Sequence, residues 1–441
     1  MEIQALVQSA EPDLTQSGTT DDFDFDFTEL NVFATDIPYS ALAHLRRYAP
    51  VYWNKIRNPA TANDGFWIVT RHSDIVEIEK KPLIFSSHFG LTLSEAPPPN
   101  AGPPWSMVRD GLTHLDPPDH QNHRQVVLPL FSRRAIAELE TKIRAIAVRV
   151  LEDACCEPEF DFAAEVALRF PVTVVLGEVL GLPPRDFSRA IYWSDVIVAP
   201  YDPNFSRSAA ARAVQEIYTY ALSLFKSRRQ RPEQDIIGIL AHTRLADGAE
   251  MTEEVFVRYF WSLFTGAFDT TASAISGGMF ALLNHPEQYS KLLADPALIP
   301  TAIEEFLRWE TPTIYFRRTA TQDTVIRGQL IKRGERVIMC YAAANRDEEV
   351  FSNPDTFDIA RKPNDHLAFG YGPHFCLGSN LARAEIRILF EELVRKQVRL
   401  KLNGEMRRAR SNFQNRIKTM PVKVGSRGAD GLSFAHALSV D

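Results

Sequence analysis

The chain has 441 residues, of which 45% are hydrophobic and 24% charged, the composition of an ordinary globular protein with one large domain or two. Its net charge of -7 argues against nucleic acid as a general partner. The four cysteines show no metal-ligand spacing and no disulfide framework, and the N-terminus lacks the pattern of a signal peptide or a membrane anchor, so we expect a cytoplasmic protein.

The N-terminal part of the chain predicts an arm and then a small mixed layer. Residues 1–28 are acidic and polar and predict a flexible arm. Two helices that flank a β-hairpin come next: helix 40–48, strands 51–53 and 66–70, and helix 73–80. The region 88–113 is rich in Pro and Gly, fits no regular element, and has the length of a functional or disordered loop.

A polar stretch at 114–124 runs into a further helix. His120 and Arg124 are four residues apart, so they lie on one helical face, which suits two adjacent anionic groups. The alternative is an ordinary solvated polar face.

The middle of the chain predicts a succession of amphipathic helices, among them 136–155, 162–180 and 209–228. Segment 252–284 predicts one long central helix, on the order of 50 Å at 1.5 Å per residue. Its recurring Ser and Thr residues and Asp269 argue against a membrane span and favour a helix that is buried on most sides.

The C-terminal third predicts a small sheet and a last helix. Glu305 and Arg308, three residues apart, can form a helical ion pair, and Pro312 ends their helix. The β-type runs are 317–321, 324–327, 336–340, 398–402 and 422–424, with a turn at 412–415 and a tail at 425–441.

One cysteine stands in an unusual setting. Gly370, Gly372 and Gly378 surround Cys376, and the pattern becomes helical from Leu377. A helix N-terminus stabilises a thiolate. A single cysteine cannot make a zinc site, which needs four ligands, whereas an axial ligand to haem iron needs only one. The alternative is a buried, inert cysteine beside a glycine-rich turn.

The segment 369–378 matches the haem-binding signature of the cytochrome P450 superfamily at every defined position, through Phe369, Gly372, His374, Cys376 and Gly378. The chain therefore resembles a bacterial cytochrome P450. This resemblance implies a mostly α fold with small β-sheets, a helix-rich triangular prism with a long central helix, in which 29–424 form a single catalytic domain. It also implies haem b, with Cys376 as the axial ligand to iron.

The resemblance gives roles to earlier segments. It implies that the haem propionates are bound by His120, Arg124, Arg318 and His374, with Arg317 as a competitor of Arg318, and that Phe369, Gly378, Gly266 and Ala267 contact the cofactor. Ala267 stands where the family usually has glycine. Asp269 and Thr270 match the acid and alcohol that deliver protons. The alternative for them is a back-bonded threonine and a paired acid.

Two further sets of residues follow from the resemblance. The implied substrate pocket is mostly apolar and aromatic, with Phe264, Phe268, Phe413 and the run 313–316, which includes Thr313, Ile314 and Tyr315. Glu305 and Arg308 resemble the Glu-x-x-Arg pair of the family. The usual third basic partner is missing from 354–357, so Arg346 or Arg361 takes its place.

By resemblance, the chain is a monooxygenase that inserts one oxygen atom of O2 into a C–H bond of a small hydrophobic substrate, terpenoid or steroid-like. No flavin, nicotinamide or iron–sulfur motif occurs, so two electrons come from a separate 2Fe–2S ferredoxin and its NAD(P)H reductase. The predicted basic docking patch comprises Arg133, Arg134, Arg361, Lys362, Arg383 and Arg387. The alternatives are a haem-binding sensor or carrier without turnover and a peroxide-driven hydroxylase of lipids.

Overall fold

A computed structural model describes residues 25–56, 65–93, 102–198, 205–206 and 208–425. Positions 1–24 of the predicted arm and positions 426–441 of the predicted tail lie outside the described residues. Phe25 and Phe27, which the sequence placed in the arm, are buried. The peptide N–H of Phe27 donates to Asn54 Oδ1 at 2.8 Å, so this segment packs on the first strand.

Helices dominate the fold, as predicted. The helices, labelled in chain order, are α1 (Tyr39–Tyr48), α2 (His72–Glu79), α3 (Trp105–Arg109), α4 (Asp119–Val127), α5 (Arg133–Cys155), α6 (163–179), α7 (Phe187–Val198), α8 (Ala209–Gln230), α9 (Ile236–His242), α10 (Glu253–Thr265), α11 (Asp269–Asn284), α12 (Pro286–Ala294), α13 (Ile299–Glu310), α14 (Tyr341–Ala344) and α15 (Ser379–Arg395). Short 3-10 turns lie at Leu30–Phe33, Leu112–His114, Leu128–Phe131, Pro184–Asp186, Pro296–Leu298 and Gly372–His374.

Local chemistry explains where several helices begin. Side-chain oxygens of Ser132, Asp235 and Thr252 accept backbone N–H groups in the first turns of α5, α9 and α10. Helix α6 combines π-type turns over Ala163–Leu168 and Val172–Val179 with an α-helical turn between them. Pro171 lies at this junction and has no N–H to donate, which interrupts the regular hydrogen bonding.

The strands form four small sheets. They are β1 (Val51–Lys55), β2 (Gly65–Val69), β3 (Phe85–Ser86), β4 (Glu159–Asp161), β5 (Tyr315–Ala320), β6 (Thr324–Ile326), β7 (Gln329–Ile331), β8 (Arg336–Cys340), β9 (Leu400–Leu402), β10 (Arg407–Arg408), β11 (Ile417–Thr419) and β12 (Pro421–Val424). The largest sheet has the order β1-β2-β8-β5-β3, and the others are β4-β12-β9, β10-β11 and β6-β7. Val51 pairs antiparallel with Val69, which confirms the strand pairing of the predicted hairpin.

The centre of the molecule is α11, which is buried along most of its length and packs on α6 and α13. Gly278 allows the close approach to α13, because a Cβ there would lie 2.6 Å from Phe306 Cγ. Helix α15 packs along α5 and also contacts α11. Residues of α6, α11, α13 and α15 line the cavity described below.

The structure corrects two sequence predictions. The predicted helix over 252–284 is not continuous, because α10 ends at Thr265 and α11 begins at Asp269. Gly266 caps α10, and Phe268 has φ -130° and ψ -30°, outside the helical range. The prediction that 88–113 holds no regular element is wrong at Trp105–Arg109 and Leu112–His114, while 94–101 lie outside the described residues.

Within the described part of the chain, none of the helices has the length and apolar character that crossing a bilayer requires.

Candidate functional site

The cysteine loop runs from Leu367 to the start of α15 and has a fixed backbone. Gly372 has φ +64°, and a Cβ there would lie 2.7 Å from the backbone oxygen of Glu79, so only glycine fits. The N–H of Cys376 donates to the carbonyl of Phe369 at 2.9 Å, which closes the loop just before the helix. This geometry places the half-buried Cys376 side chain at the N-terminal end of α15.

The groups around Cys376 shift the pKa of its thiol in opposite directions. Burial raises the pKa of the Cys376 thiol, whereas the backbone N–H of Gly378 and the cations Arg124 and Arg383 lower it. A metal ion takes a cysteine as the thiolate, so these donors would stabilise the sulfur of a metal-bound Cys376.

Cys376 faces a cavity that several distant segments line together. Of the residues singled out in the sequence, those that line it are Cys376, Gly378, Phe369, His374, His120, Arg124, Arg318, Gly266, Ala267, Thr270 and Thr313. They come from the cysteine loop, α4, β5 and the junction of α10 with α11. The structure thus brings together residues that are more than two hundred and fifty positions apart, between His120 and Cys376.

One end of this cavity is rich in cationic and imidazole side chains. The rings of His120 and His374 lie 4.0 Å apart, and Arg124 donates to the carbonyl of Phe375 at 2.6 Å. Burial, helped by Arg124 and Arg318, lowers the pKa of His120 to about 4, and His120 Nδ1 is buried without a partner among the described residues. Such a cluster favours an anionic ligand.

The structure distinguishes the two neighbouring arginines of β5. Arg318 lines the cavity and donates to the carbonyl of Arg317 at 3.0 Å. The guanidinium of Arg317 instead bonds the carbonyls of Phe89 and Gly90. Because successive residues of a strand point to opposite faces, only one of the two can face the cavity.

The predicted proton-delivery pair is divided between the cavity and the core. Thr270 lines the cavity in the first turn of α11. Asp269 is buried beside it, accepts a short hydrogen bond from Ser194 Oγ on α7, and has its Oδ1 3.1 Å from Arg416 Nη1. Burial raises the pKa of Asp269 above the usual carboxyl range, and Arg416 and Ser194 oppose this shift.

Most of the aromatic residues predicted for the pocket lie elsewhere in the structure. Phe264 and Phe268 pack in the main core, where the ring of Phe264 is 6.1 Å from that of Trp193. Tyr315 and Ile314 belong to a second core cluster, and Phe413 packs against it.

Of the run 313–316, Thr313 and Phe316 line the cavity. The sequence analysis did not single out the other apolar side chains that line it, which include Leu91, Leu112, Val179, Leu180 and Leu263.

Two buried carboxyl groups in the cavity wall were also missed. Glu79 ends α2, and Glu385 lies on α15 beside Thr271. Burial raises the pKa of Glu385 well above its ordinary value, and the Thr271 side chain opposes this shift. The sequence does contain a signal for Glu79: it continues the apolar stripe of Ile75 and Ile78 on one face of α2, where an acidic residue is unexpected.

The Glu305–Arg308 pair is a buried network with Arg361 as its third member. Arg308 donates to both carboxylate oxygens of Glu305, at 2.7 and 2.8 Å, and Arg361 Nε lies 3.1 Å from Glu305 Oε2. Arg346 instead stacks 3.6 Å from the ring of Trp309. Of the two candidates left open by the sequence, the structure thus selects Arg361.

Four members of the predicted basic patch are paired with carboxylates: Arg361 with Glu305 at 3.1 Å, Arg383 with Glu304 at 2.7 Å, Arg387 with Glu140 at 2.5 Å and the exposed Arg134 with Glu138 at 3.6 Å. The other two members, Arg133 and Lys362, are exposed. The partners of the paired arginines come from α5 and α13, which residue order alone did not reveal.

Comparison with known proteins settles the family. The chain matches the family model described as cytochrome P450 over residues 106–417. It belongs to the cytochrome P450 family. This P450 is 35% identical over 405 residues to a linalool 8-monooxygenase of Pseudomonas putida, a match that covers 90% of this chain and 98% of that protein.

A second relative and a solved structure agree. This P450 is 35% identical over 406 residues to a steroid C26-monooxygenase of Rhodococcus jostii, a match that covers 90% of this chain and 84% of that protein. It superposes on a Mycobacterium marinum cytochrome P450 in complex with pseudoionone with a TM-score of 0.79 and 32% identity, over 87% of this chain and 94% of that chain. The predicted fold and the enzyme class, a monooxygenase, are confirmed.

The cytochrome P450 family uses a haem–thiolate cofactor, O2 and redox partners, and the cavity of this P450 fits that cofactor. The Cys376 thiol faces the cavity. Among the described residues, Glu79 is the one carboxyl group that can balance the positive charge of the imidazoles and arginines at one end of it. Two propionate groups would supply the remaining negative charge.

Proposed function

We propose that this P450 binds haem b through Cys376 Sγ and hydroxylates a small hydrophobic substrate. The observation that carries the proposal is the shared cavity, in which the cysteine, the cluster of arginines and histidines and Thr270 face one space. Haem held by a thiolate supplies the activation of O2 and the insertion of one oxygen atom into a C–H bond.

Side chains of this chain bind and orient the cofactor. Arg124 and Arg318 neutralise the propionates, and His120 and His374 donate to them from their ring nitrogens. The unpartnered Nδ1 of His120 supports this assignment, because a buried donor or acceptor without a partner costs about 1–3 kcal/mol. Gly266 and Ala267, at the interruption between α10 and α11, leave room for O2 in front of Thr270.

Thr270 and Asp269 move protons. Thr270 Oγ1 would pass its proton into the cavity and would take up another from Asp269. Asp269 is suited to this task because burial raises its pKa, so the group is able to hold a proton that a solvated carboxylate would release. Ser194 and Arg416 keep the acid in place between turnovers.

The substrate class follows from the cavity wall. Apart from the cofactor ligands, Thr270 and the two buried carboxyl groups, the wall is mostly aliphatic. Its aromatic residues are Phe131, Phe316 and Tyr341, and its other hydroxyl-bearing residues are Thr113, Ser262, Thr271 and Thr313. A terpenoid or steroid-like molecule with few polar groups suits such a lining. The relatives named for linalool and for steroids support the same class.

We further propose that two electrons come from a 2Fe–2S ferredoxin and its NAD(P)H reductase. The members of the predicted patch that are left to attract an acidic partner are Arg133, Lys362 and Arg134, whose ion pair with Glu138 at 3.6 Å is exposed. A cytoplasmic location stays a prediction from the sequence.

The test is the absorption spectrum of the reduced, carbon monoxide-bound protein. A strongly red-shifted Soret band is expected, and Cys376→Ser should abolish it. Cys156→Ser, at an exposed cysteine outside the cavity, should leave the band unchanged and serves as the control. Well-folded protein without haem absorbance would refute the proposal. Product that carries one 18O atom from 18O2 would establish the oxygen insertion.

A further inference from the structure

The carboxyl group of Glu79 lies in the wall of the cavity, and the function proposed above gives it no role. Glu79 is the last residue of α2 and is only 5% exposed. It lines the same cavity as Arg318, Arg124 and His374. A buried carboxyl group is unfavourable unless it is paired or protonated, so its presence beside a cofactor site needs a physical explanation.

Three contacts fix the position of this carboxyl group. Its Oε1 accepts a hydrogen bond from Tyr341 OH at 2.7 Å and lies 3.9 Å from Arg318 Nη2. Its Oε2 is buried and has no hydrogen-bond partner among the described residues. A Cβ on Gly370 would lie 3.3 Å from Oε1, so the cysteine loop packs directly on the group.

The charges that face Glu79 are few. Arg318 comes from β5, Tyr341 from α14, and the cysteine loop contributes the backbone N–H of Tyr371. His374 lines the same cavity. The ammonium group of the neighbouring Lys80 lies 5.6 Å from the centre of the Tyr371 ring and is not among the groups that shift the pKa of Glu79. Arg318 is therefore the one formal cation that acts on Glu79 within the described residues, and the proposed function requires Arg318 to bind a propionate as well.

One arginine shared by two carboxyl groups leaves one of them poorly compensated. Burial raises the pKa of Glu79 to about 7, against the opposing effects of Arg318, Tyr341 and Tyr371. A propionate beside Arg318 adds a second negative charge and raises this pKa further. Glu79 therefore titrates at or above neutral pH in the haem-bound protein.

We propose that Glu79 takes up one proton from solvent when the haem iron accepts its first electron, so that Glu79, Arg318 and Tyr341 form a redox-linked proton site at the propionate edge of the haem. The inference rests on the proposed function. The electron comes from the one-electron donor protein, the proton forms an O–H bond on the unpartnered Oε2, and no other bond is made or broken.

The reason is Coulombic. An added electron makes the cofactor more negative, and in a cavity of low dielectric this charge acts on a nearby carboxyl group far more strongly than in water. Proton binding and reduction are thermodynamically linked. Protonation of Glu79 favours reduction of the haem iron by a certain free energy, and reduction favours protonation of Glu79 by the same amount. The reduction potential should therefore fall as pH rises, by at most about 59 mV for each tenfold drop in proton concentration.

The test is potentiometric titration of the haem-bound protein between about pH 6 and pH 9, a window that spans the raised pKa. The wild type should show a potential that falls with pH. Glu79→Gln keeps an acceptor for Tyr341 but cannot titrate, so its potential should be nearly independent of pH and lie above the wild-type value at the alkaline end. Glu310→Gln is the matched control: Glu310 is also buried and pairs with Arg408 at 2.8 Å, but it does not line the cavity, so the slope should persist.

A second variant and a second readout keep the inference testable if Glu79→Gln folds poorly. Tyr341→Phe removes the donor that lowers the pKa of Glu79, so the sloping region should move to higher pH. The infrared difference spectrum of reduced minus oxidised protein should gain a protonated-carboxyl band that Glu79→Gln lacks. Identical slopes in all variants, with the carbon monoxide band intact, would overturn the Glu79 inference alone. Protein without that band would overturn the proposed function and with it this inference.

Discussion

Arg416 Nη1 lies 3.1 Å from Asp269 Oδ1, so a cation from the segment that leads into β11 holds the acid at the start of α11. Arg416 also pairs with Asp195 on α7, whose neighbour Ser194 bonds the same acid. Asp269 is thus the meeting point of three segments, and a change at any of them should reach the proposed proton delivery.

Replacing Asp269 by Asn should slow turnover. Because positioned acids contribute about 10²- to 10⁴-fold, we expect a loss of at least about 10²-fold together with a larger solvent isotope effect. Asp195→Asn is the control, since it removes the other carboxylate on Arg416 but leaves Asp269. Rates and isotope effects that match between the two variants would remove Asp269 from the proton path.

Replacing Thr270 by Ala should separate electron use from product formation. Thr270 lines the cavity, so loss of its hydroxyl group should divert reducing equivalents to hydrogen peroxide while haem binding is retained. Ser273→Ala is the control on the same helix, because Ser273 Oγ donates to the carbonyl of Asp269 and the residue is buried outside the cavity. The measurement is the ratio of product to NAD(P)H consumed, and an unchanged ratio in Thr270→Ala would count against the relay.

Substitutions in the buried network of Glu305, Arg308 and Arg361 should lower the free energy of unfolding more than substitutions at an ion pair with an exposed partner. Removing one partner of a buried ion pair leaves an uncompensated charge, so Arg361→Met should lower the free energy of unfolding by about 3–5 kcal/mol. Arg346→Met should lower it less, because Arg346 pairs with the exposed Asp355. Urea unfolding followed by far-UV circular dichroism measures both values, and equal losses would contradict the assignment of Arg361.

Within the run 313–316, substitutions at a residue that lines the cavity and at a residue in the core should have different effects on ligand affinity. Phe316→Ala enlarges the cavity and should weaken the binding of an apolar ligand by roughly 10-fold, since an interaction of this kind contributes about 1–3 kcal/mol. Ile314→Val, at a buried residue outside the cavity, should lower stability slightly without changing affinity. Spin-state titration with terpenoids and steroids gives the affinities.

Acid should destabilise the haem-free protein through His120. Its pKa falls from 6.5 to about 4 on folding, so the unfolded chain takes up a proton first as the pH drops. Stability is therefore lost between about pH 6.5 and pH 4, by at most about 3 kcal/mol from this residue. His120→Gln should remove this part of the loss. Bound haem should reduce it too, because propionates favour the imidazolium form.

The sequence predicted the parts of the site that depend on short spacings. The four-residue spacing of His120 and Arg124 places both on one face of α4, and the positive φ angles of Gly370 and Gly372 are local requirements of the backbone. Contacts between distant segments could not be predicted in this way. Glu79 is 262 positions from Tyr341, and Glu304 and Glu140, which pair with Arg383 and Arg387, lie on other helices.

Two other differences have local physical causes. Apolar residues continue through 252–284 on both sides of Gly266, so hydrophobic periodicity does not reveal the interruption that capping produces. In the run 313–316, the family resemblance implied that all four residues line the substrate pocket, but only Thr313 and Phe316 line the cavity, while Ile314 and Tyr315 pack in the second core cluster. Strand β5 begins at Tyr315, so the run spans a loop and the start of a strand, and no single periodicity decides which of its side chains face the cavity.

The hydrogen bond from Asn412 Nδ2 to the carbonyl of Phe27, at 2.9 Å, joins residues 385 positions apart. Closing so long a loop costs chain entropy. One hydrogen bond does not offset this cost until the elements between its ends have folded. We therefore expect this hydrogen bond to form late in folding. A probe at this joint would distinguish the finished native state from an intermediate in which the central helices have already assembled.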